Sequence, residues 1–366
     1  MKNYFYAFVL LALAFSLRGQ NHLQECATEG SQYWSTTLRQ KMATMPAISA
    51  KAVPEQVPYR IHLFKKSDNT SVLTLQDIYK EIDTVNAFYA NANMFFYECE
   101  PPEIILDDSL YDFQSSEESI LINQHYSPDV LNLYFPNTVK SGTTPVCGYS
   151  RYPPSVDLAI IAAGCAKNGS TLPHEIGHYF GLMHTHESFA GAELVDGSNC
   201  SVAGDFICDT PADPTLDYSN VSLSCIYTGT VTDGNGMPYQ PDVTNVMSYS
   251  RKECRMYFSP MQYAALNSTF QTDRSYLYCS YGVGLREFSQ QKPLVFPNPG
   301  SDKLGLRLPS ASSRAMLVLT DILGHVILTA SVNGNEQIDT QALLPGIYFY
   351  ELSLPDGKHK GKWIKQ

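Results

Sequence analysis

The segment His174-Glu175-Ile176-Gly177-His178-Tyr179-Phe180-Gly181-Leu182-Met183-His184 constrains this chain more than any other. Histidines four residues apart lie on one face of a helix, one turn above each other, so His174 and His178 can grip one metal ion. Glu175 follows the first histidine directly and projects to the side, where it reaches a water rather than the metal. Gly181 leaves right-handed helical geometry at little steric cost, which ends the helix and turns the chain back. That turn delivers His184 as a third nitrogen ligand. Three protein ligands leave the fourth position of a tetrahedral zinc ion open, as in catalytic rather than structural sites.

A second element reinforces the first. Asn245-Val246-Met247-Ser248-Tyr249-Ser250 lies roughly sixty residues downstream, where Met247 reads as the floor of the metal site. Alone, a methionine reads as core filling, because its flexible side chain suits irregular gaps. The long histidine pattern with its Met-turn is the metzincin signature. The run Leu172 through Thr185, the later Gly204-Asp205-Phe206-Ile207-Cys208-Asp209-Thr210-Pro211-Ala212 and the turn Met247-Ser248-Tyr249 together resemble the pappalysin branch of the metzincin metalloproteases. The resemblance covers roughly Tyr59 to Tyr278, loosely before Leu131. Pro173 and His186 depart from the usual residues without touching a ligand position, and proline at a helix start has no N–H to lose.

The resemblance implies an α+β catalytic domain, with a twisted mixed sheet, a backing helix, an active-site helix and an irregular lower lobe. It implies peptide hydrolysis by a zinc-activated water, with Glu175 as general base. Tyr249, two residues past Met247, is then the hydrogen-bond donor to the developing oxyanion; the alternative is an ordinary tyrosine in a chain with 24 of them. Asp205 and Asp209 become candidate calcium ligands, against the alternative of turns and helix capping. Residues just past a Met-turn tend to line the pocket for the side chain after the cut, and relatives that prefer basic residues there carry an acidic group. Here the stretch reads Arg251-Lys252-Glu253-Cys254, so Lys252 is expected to disfavour Arg or Lys and to favour acidic or neutral side chains, unless it points into solvent.

Length and composition set the frame. At 366 residues, two folded units are the natural expectation. A net charge of −11 argues against nucleic acid as the main partner. Lys2 followed by the apolar run Tyr4 to Leu17 reads as a secretory signal peptide over residues 1–19. That run is shorter than the ~18–20 apolar residues a membrane-spanning helix needs. No other segment is long enough, so the mature protein is expected to have no transmembrane span and to be a monomer.

An exported chain with nine cysteines should hold most of them in disulfides. Cys200, Cys208, Cys225 and Cys254 bracket the segment between the zinc motif and the Met-turn, with three pairings open. The odd count leaves one thiol, and Cys26 is the candidate. A thiolate is a good zinc ligand, so Cys26 can fill the open metal position and keep the enzyme latent. Its alternatives are a disulfide to Cys99 or a free thiol.

Residues 20–55 are polar with scattered prolines and read as a prosegment, followed by a catalytic domain over 56–281. Within that domain, strands are expected at Val57 to Phe64, Glu103 to Leu106, Leu131 to Phe135 and Asp157 to Ala162, and helices at Leu73 to Tyr89 and Ser259 to Thr272. Past Gly181 the composition shifts to Gly, Asp, Asn, Pro and Ser, an irregular stretch. Residues 282–366 read as a small Ig-like β-sandwich, with alternating runs at Lys303 to Leu308, Arg314 to Leu319, His325 to Ser331 and Gly346 to Leu352. Phe296-Pro297-Asn298-Pro299, Leu344-Pro345-Gly346-Ile347-Tyr348 and the closing Gly361-Lys362-Trp363 resemble a type IX secretion sorting domain. The resemblance implies the type IX machinery as a partner and a secreted or outer-surface protein of a Gram-negative, Bacteroidetes-type bacterium. A sugar- or protein-binding accessory domain is the alternative. For the whole chain the rivals are an inactive adhesin on a protease scaffold and a zinc-dependent toxin or binder.

Overall fold

A computed structural model of the chain describes residues 24–28, 32–44, 53–279, 294–308, 314–333, 336–354 and 357–366. The expected signal peptide lies outside them. The chain divides into two compact units, Met1–Tyr281 and Gly282–Gln366.

The first unit opens on a feature the sequence reading did not anticipate. Helix α1 (Gln32–Thr44) forms within the polar segment, and Trp34, Leu38 and Met42, one turn apart, supply its inward stripe. Strand β1 (Glu55–Lys65) follows. Helix α2 (Leu75–Tyr89) starts on a capping box in which Thr74 and Asp77 each accept a hydrogen bond from the other's backbone N–H. Then come β2 (Met94–Glu98), β3 (Glu103–Leu106), the single turn α3 (Asp108–Tyr111), β4 (Asp112–Gln114) and α4 (Glu118–Gln124). Strands β5 (Leu131–Phe135), β6 (Thr138–Ser141), β7 (Thr144–Val146), β8 (Gly148–Ser150) and β9 (Leu158–Ile161) lead to α5 (Thr171–Tyr179). The last helix, α6 (Pro260–Asp273), starts at Ser259, whose hydroxyl accepts from the Gln262 N–H, and Pro260 fills a position that needs no donor.

The central sheet runs β2-β1-β5-β9-β8, with β3 also on β1; all pairs are parallel except β8 with β9. Strands β5 and β9 are buried along their whole length. Leu131, Leu133, Phe135, Ala159 and Ile161 point into one apolar cluster, while Tyr134, Leu158 and Ile160 point into another. That two-residue alternation, with both faces covered, explains why these parallel strands read as continuous apolar runs. The first cluster also takes in Ile78, Ile82 and Val85 of α2 with Leu172, Ile176 and Tyr179 of α5, so α2 backs the helix that carries the histidine motif.

Between α5 and α6 no named helix or strand occurs among the described residues. Disulfides hold this stretch in place of regular structure: Cys200–Cys208 and Cys225–Cys254 lie within it. Cys99–Cys279 and Cys147–Cys165 complete the set, and Cys26 is a buried free thiol. Cys99 is therefore not its partner.

The second unit holds two antiparallel sheets. β10 (Leu294–Phe296), β11 (Lys303–Arg307), β12 (Arg314–Thr320), β13 (Val326–Asn333), β14 (Glu336–Asp339), β15 (Gly346–Leu354) and β16 (Gly357–Lys365) pair as β10-β11-β14 and β13-β12-β15-β16. Val295, Leu304 and Leu306 from the first sheet share one core with Leu317, Leu319, Leu352 and Trp363 from the second. No helix among the described residues is long and apolar enough to cross a membrane.

Candidate metal centre

Three imidazoles converge where α5 meets the chain beyond its end. His174 Nδ1 faces the Val246 carbonyl at 2.8 Å and His178 Nδ1 faces the Leu182 carbonyl at 2.7 Å. A carbonyl only accepts, so both rings carry their proton on Nδ1 and turn the Nε2 lone pair inward. His178 Nε2 then lies 3.1 Å from His174 Nε2 and 3.0 Å from His184 Nε2. Lone pairs this close repel unless a cation sits between them. Nitrogens about 2.0–2.1 Å from one tetrahedral zinc stand roughly 3.3 Å apart, so the set fits that ion. Burial keeps the rings neutral: it pushes His178 down to about 3 and holds His174 and His184 well below the usual histidine value. The carbonyl partners on Nδ1 also fix ring orientation, and the Tyr152 hydroxyl lies 3.1 Å from the same nitrogen of His178.

A fourth donor stands beside the three imidazoles. Cys26 joins the histidines, with all four donor atoms within 4.8 Å of one another, the one group of three or more such donors among the described residues. Its Sγ lies 3.5 Å from Glu175 Oε2, which also accepts from the Thr28 hydroxyl at 3.4 Å. Glu175 Oε1 is buried and has no hydrogen-bond partner among the described residues. Burial pushes the Glu175 carboxyl up to about 8, against the hydrogen bonds from Cys26 and Thr28 that lower it. Burial, with the Glu175 charge, raises the Cys26 thiol well above its usual value; a cation at the histidines would act the other way.

Glycines make the room. Gly181 has φ +91°, the left-handed turn its place in the motif predicts, and a Cβ there would lie 2.2 Å from the Trp34 ring. Trp34 Nε1 donates to the Gly181 carbonyl at 2.7 Å, so α1 is clamped onto the turn that delivers His184. At Gly177 a Cβ would meet Met247 Sδ at 2.6 Å, which puts the fully buried Met247 against the underside of α5. At Gly148 a Cβ would lie 2.6 Å from the Ile160 carbonyl and 3.2 Å from Glu175 Oε1.

Tyr249 stands beside the histidines, its ring centroid 4.7 Å from that of His184, and its hydroxyl donates to the Cys26 carbonyl at 3.2 Å. Lys252 does not point into solvent: its Nζ lies 3.6 Å from the Glu25 carboxylate and 2.8 Å from Cys147 Sγ. Asp205 and Asp209 both make local hydrogen bonds. Asp205 accepts from the Ile207 N–H and the Thr210 hydroxyl, and Asp209 accepts from the Ser259 hydroxyl and the Met261 N–H at the start of α6. Sequence reasoning missed Thr28, Trp34, Gly148, Gly177 and Arg255. Only the Trp34-Leu38-Met42 spacing carried a signal that a pattern search would have found.

Residues 115–268 match the family described as Pregnancy-associated plasma protein-A, and residues 294–366 match the family described as Secretion system C-terminal sorting domain. An extracellular metalloprotease of Pyricularia oryzae is 31% identical over 163 residues, 40% of this chain and 50% of that protein. Another from Arthroderma gypseum is 24% identical over 269 residues, 68% of this chain and 84% of that protein. The chain thus spans about half the length of the first of these relatives. The solved structure of archaemetzincin from Methanopyrus kandleri shares 12% identity and a TM-score of 0.34, covering 59% of this chain and 96% of that one, a likeness too slight to argue from.

Proposed function

From the premise that this chain belongs to the pappalysin metalloproteases and carries a secretion sorting domain, we propose that it is a secreted zinc endopeptidase made as a latent precursor. The observation that carries the reading is the convergence of three Nε2 atoms beside a buried carboxylate with one oxygen unpartnered among the described residues. His174, His178 and His184 would hold the zinc, which when bound polarises the scissile carbonyl and lets water ionise near neutrality. Glu175 takes the proton from the attacking water and passes it to the leaving amine. Tyr249, which donates to the Cys26 carbonyl in the precursor, donates to the substrate carbonyl oxygen once the prosegment has left. Met247 supports the ligand helix from below.

Latency rests on Cys26, whose thiol stands with the three ligands while its neighbour Thr28 engages the general base. In this reading residues 1–19 are a signal peptide, 20–55 a prosegment, 56–281 a metzincin-like catalytic domain and 282–366 an Ig-like sorting domain for type IX export from a Bacteroidetes-type cell. The reading does not depend on structural calcium at Asp205 and Asp209, whose carboxylates also accept local hydrogen bonds. The inactive-adhesin reading loses ground because every ligand and Glu175 are retained.

Casein hydrolysis by the matured chain should vanish in Glu175→Ala and in the wild type with chelator. Full activity in either condition would sink the reading. Full-length Cys26→Ala should be active without maturation, and unchanged latency would remove the thiol from the account.

A further inference from the structure

Residues 24–28 lie along the rim of the metal site, bridged to the sheet edge at Gln24 and Val146. Gln24 N–H donates to the Pro145 carbonyl, Cys147 N–H to the Gln24 carbonyl and Ala27 N–H to the Gly148 carbonyl, at 2.9–3.1 Å. This is how a sheet edge captures an extended peptide, with the main chain giving affinity and side-chain pockets giving selectivity. The residue before the thiol, Glu25, is the one whose side chain enters such a pocket. Its carboxylate lies 3.0 Å from Arg255 Nη2 and 3.6 Å from Lys252 Nζ, and its side chain is only 12% exposed. The pocket is rigid. Arg255 is 1% exposed along its side chain, and its Nε donates to the Ser250 carbonyl at 2.8 Å. The Cys225–Cys254 disulfide holds the segment between Lys252 and Arg255, and Lys252 rests on the Cys147–Cys165 disulfide. Arg251, by contrast, turns away and donates to the Val221 and Tyr218 carbonyls.

We propose that Lys252 and Arg255 form the specificity pocket of the enzyme, that it selects a glutamate or aspartate immediately after the cut, and that Glu25 fills it in the latent chain. One buried and one half-buried cation facing one cleft leave a basic or apolar side chain with uncompensated charge, whereas a carboxylate pairs with both. The proposal rests on the protease reading above and adds a substrate class to it.

The test uses the full-length chain matured in solution, on peptides that differ only at the residue after the cut. Glutamate should be cut at least 10-fold faster than alanine and 100-fold faster than arginine. Lys252→Glu should bring arginine and lysine peptides up at least 10-fold; Arg255 is too deeply bonded to serve as the test position. Arginine cut as well as glutamate by the wild type, or a profile unmoved by Lys252→Glu, overturns the proposal. A second readout needs no hydrolysis. In unmatured Glu175→Ala chain, Glu25→Arg should speed alkylation of the buried Cys26 at least 10-fold, and an unchanged rate overturns the seating of Glu25. A wild type that cuts no peptide sinks the protease reading itself and leaves alkylation to decide the pocket.

Discussion

Glu175 is subject to opposing pulls on its proton. Burial beneath the rim segment favours the neutral acid, while hydrogen bonds from Cys26 and Thr28 favour the carboxylate, and the balance leaves it near 8. In the proposed hydrolysis the carboxylate form is the base, and departure of residues 24–28 removes both their cover and the two hydrogen bonds that set this balance. The isosteric Glu175→Gln should lower kcat by about 10²–10⁴-fold while zinc content, read by elemental analysis, stays at one per chain. The contribution proposed for Tyr249 is narrower and runs through a single hydroxyl. Tyr249→Phe keeps the ring against His184 and removes only the donor, so kcat should fall by about 10²–10³-fold with KM nearly unchanged in steady-state assays.

Helix α5 is held from two sides by contacts that admit no extra atom. Below, Met247 Sδ occupies the space a Cβ at Gly177 would need. Gly177→Ala must push the methionine or the helix aside, and overpacking of this kind costs about 1–3 kcal/mol, visible as a lowered Tm. At its end, α1 seats Trp34 over Gly181, so a buried indole, besides the thiol, anchors the proposed prosegment. Trp34→Ala removes an aromatic anchor, a loss of about 3–5 kcal/mol, and should accelerate maturation of the precursor followed by gel. Equal maturation rates would mean that the thiol alone sets latency.

Over the whole molecule, cross-links replace regular structure where the chain is irregular. The stretch between α5 and α6 cannot rely on helix or sheet ladders, so Cys200–Cys208 and Cys225–Cys254 fix its loops, the second beside Lys252 and Arg255. Cys99–Cys279 closes a separation of 180 residues, and chain entropy predicts the largest stabilisation for long loops, about 5 kcal/mol. Reduction should therefore lower the Tm of the first unit and abolish hydrolysis, with the second unit, which holds no cysteine, unaffected in calorimetry.

The metal-binding helix, the glycine turn and the alternating strands were written in the sequence because they are local. Ligands four residues apart share a helix face whatever surrounds them, and Gly181 frees the turn by lacking a Cβ. Helix α6 announced itself through Ser259 and Pro260 for the same reason. Cys26 was a candidate from the odd cysteine count, but the choice between a free thiol beside Glu175 and a disulfide to Cys99 needed the fold, since Cys26 and Glu175 meet across 149 positions. So did the choice among three cysteine pairings, and the meeting of Glu25 with Lys252 and Arg255. Those contacts depend on how the sheet, the rim segment and the cross-linked loops close on one another, and no spacing within a single segment encodes that closure.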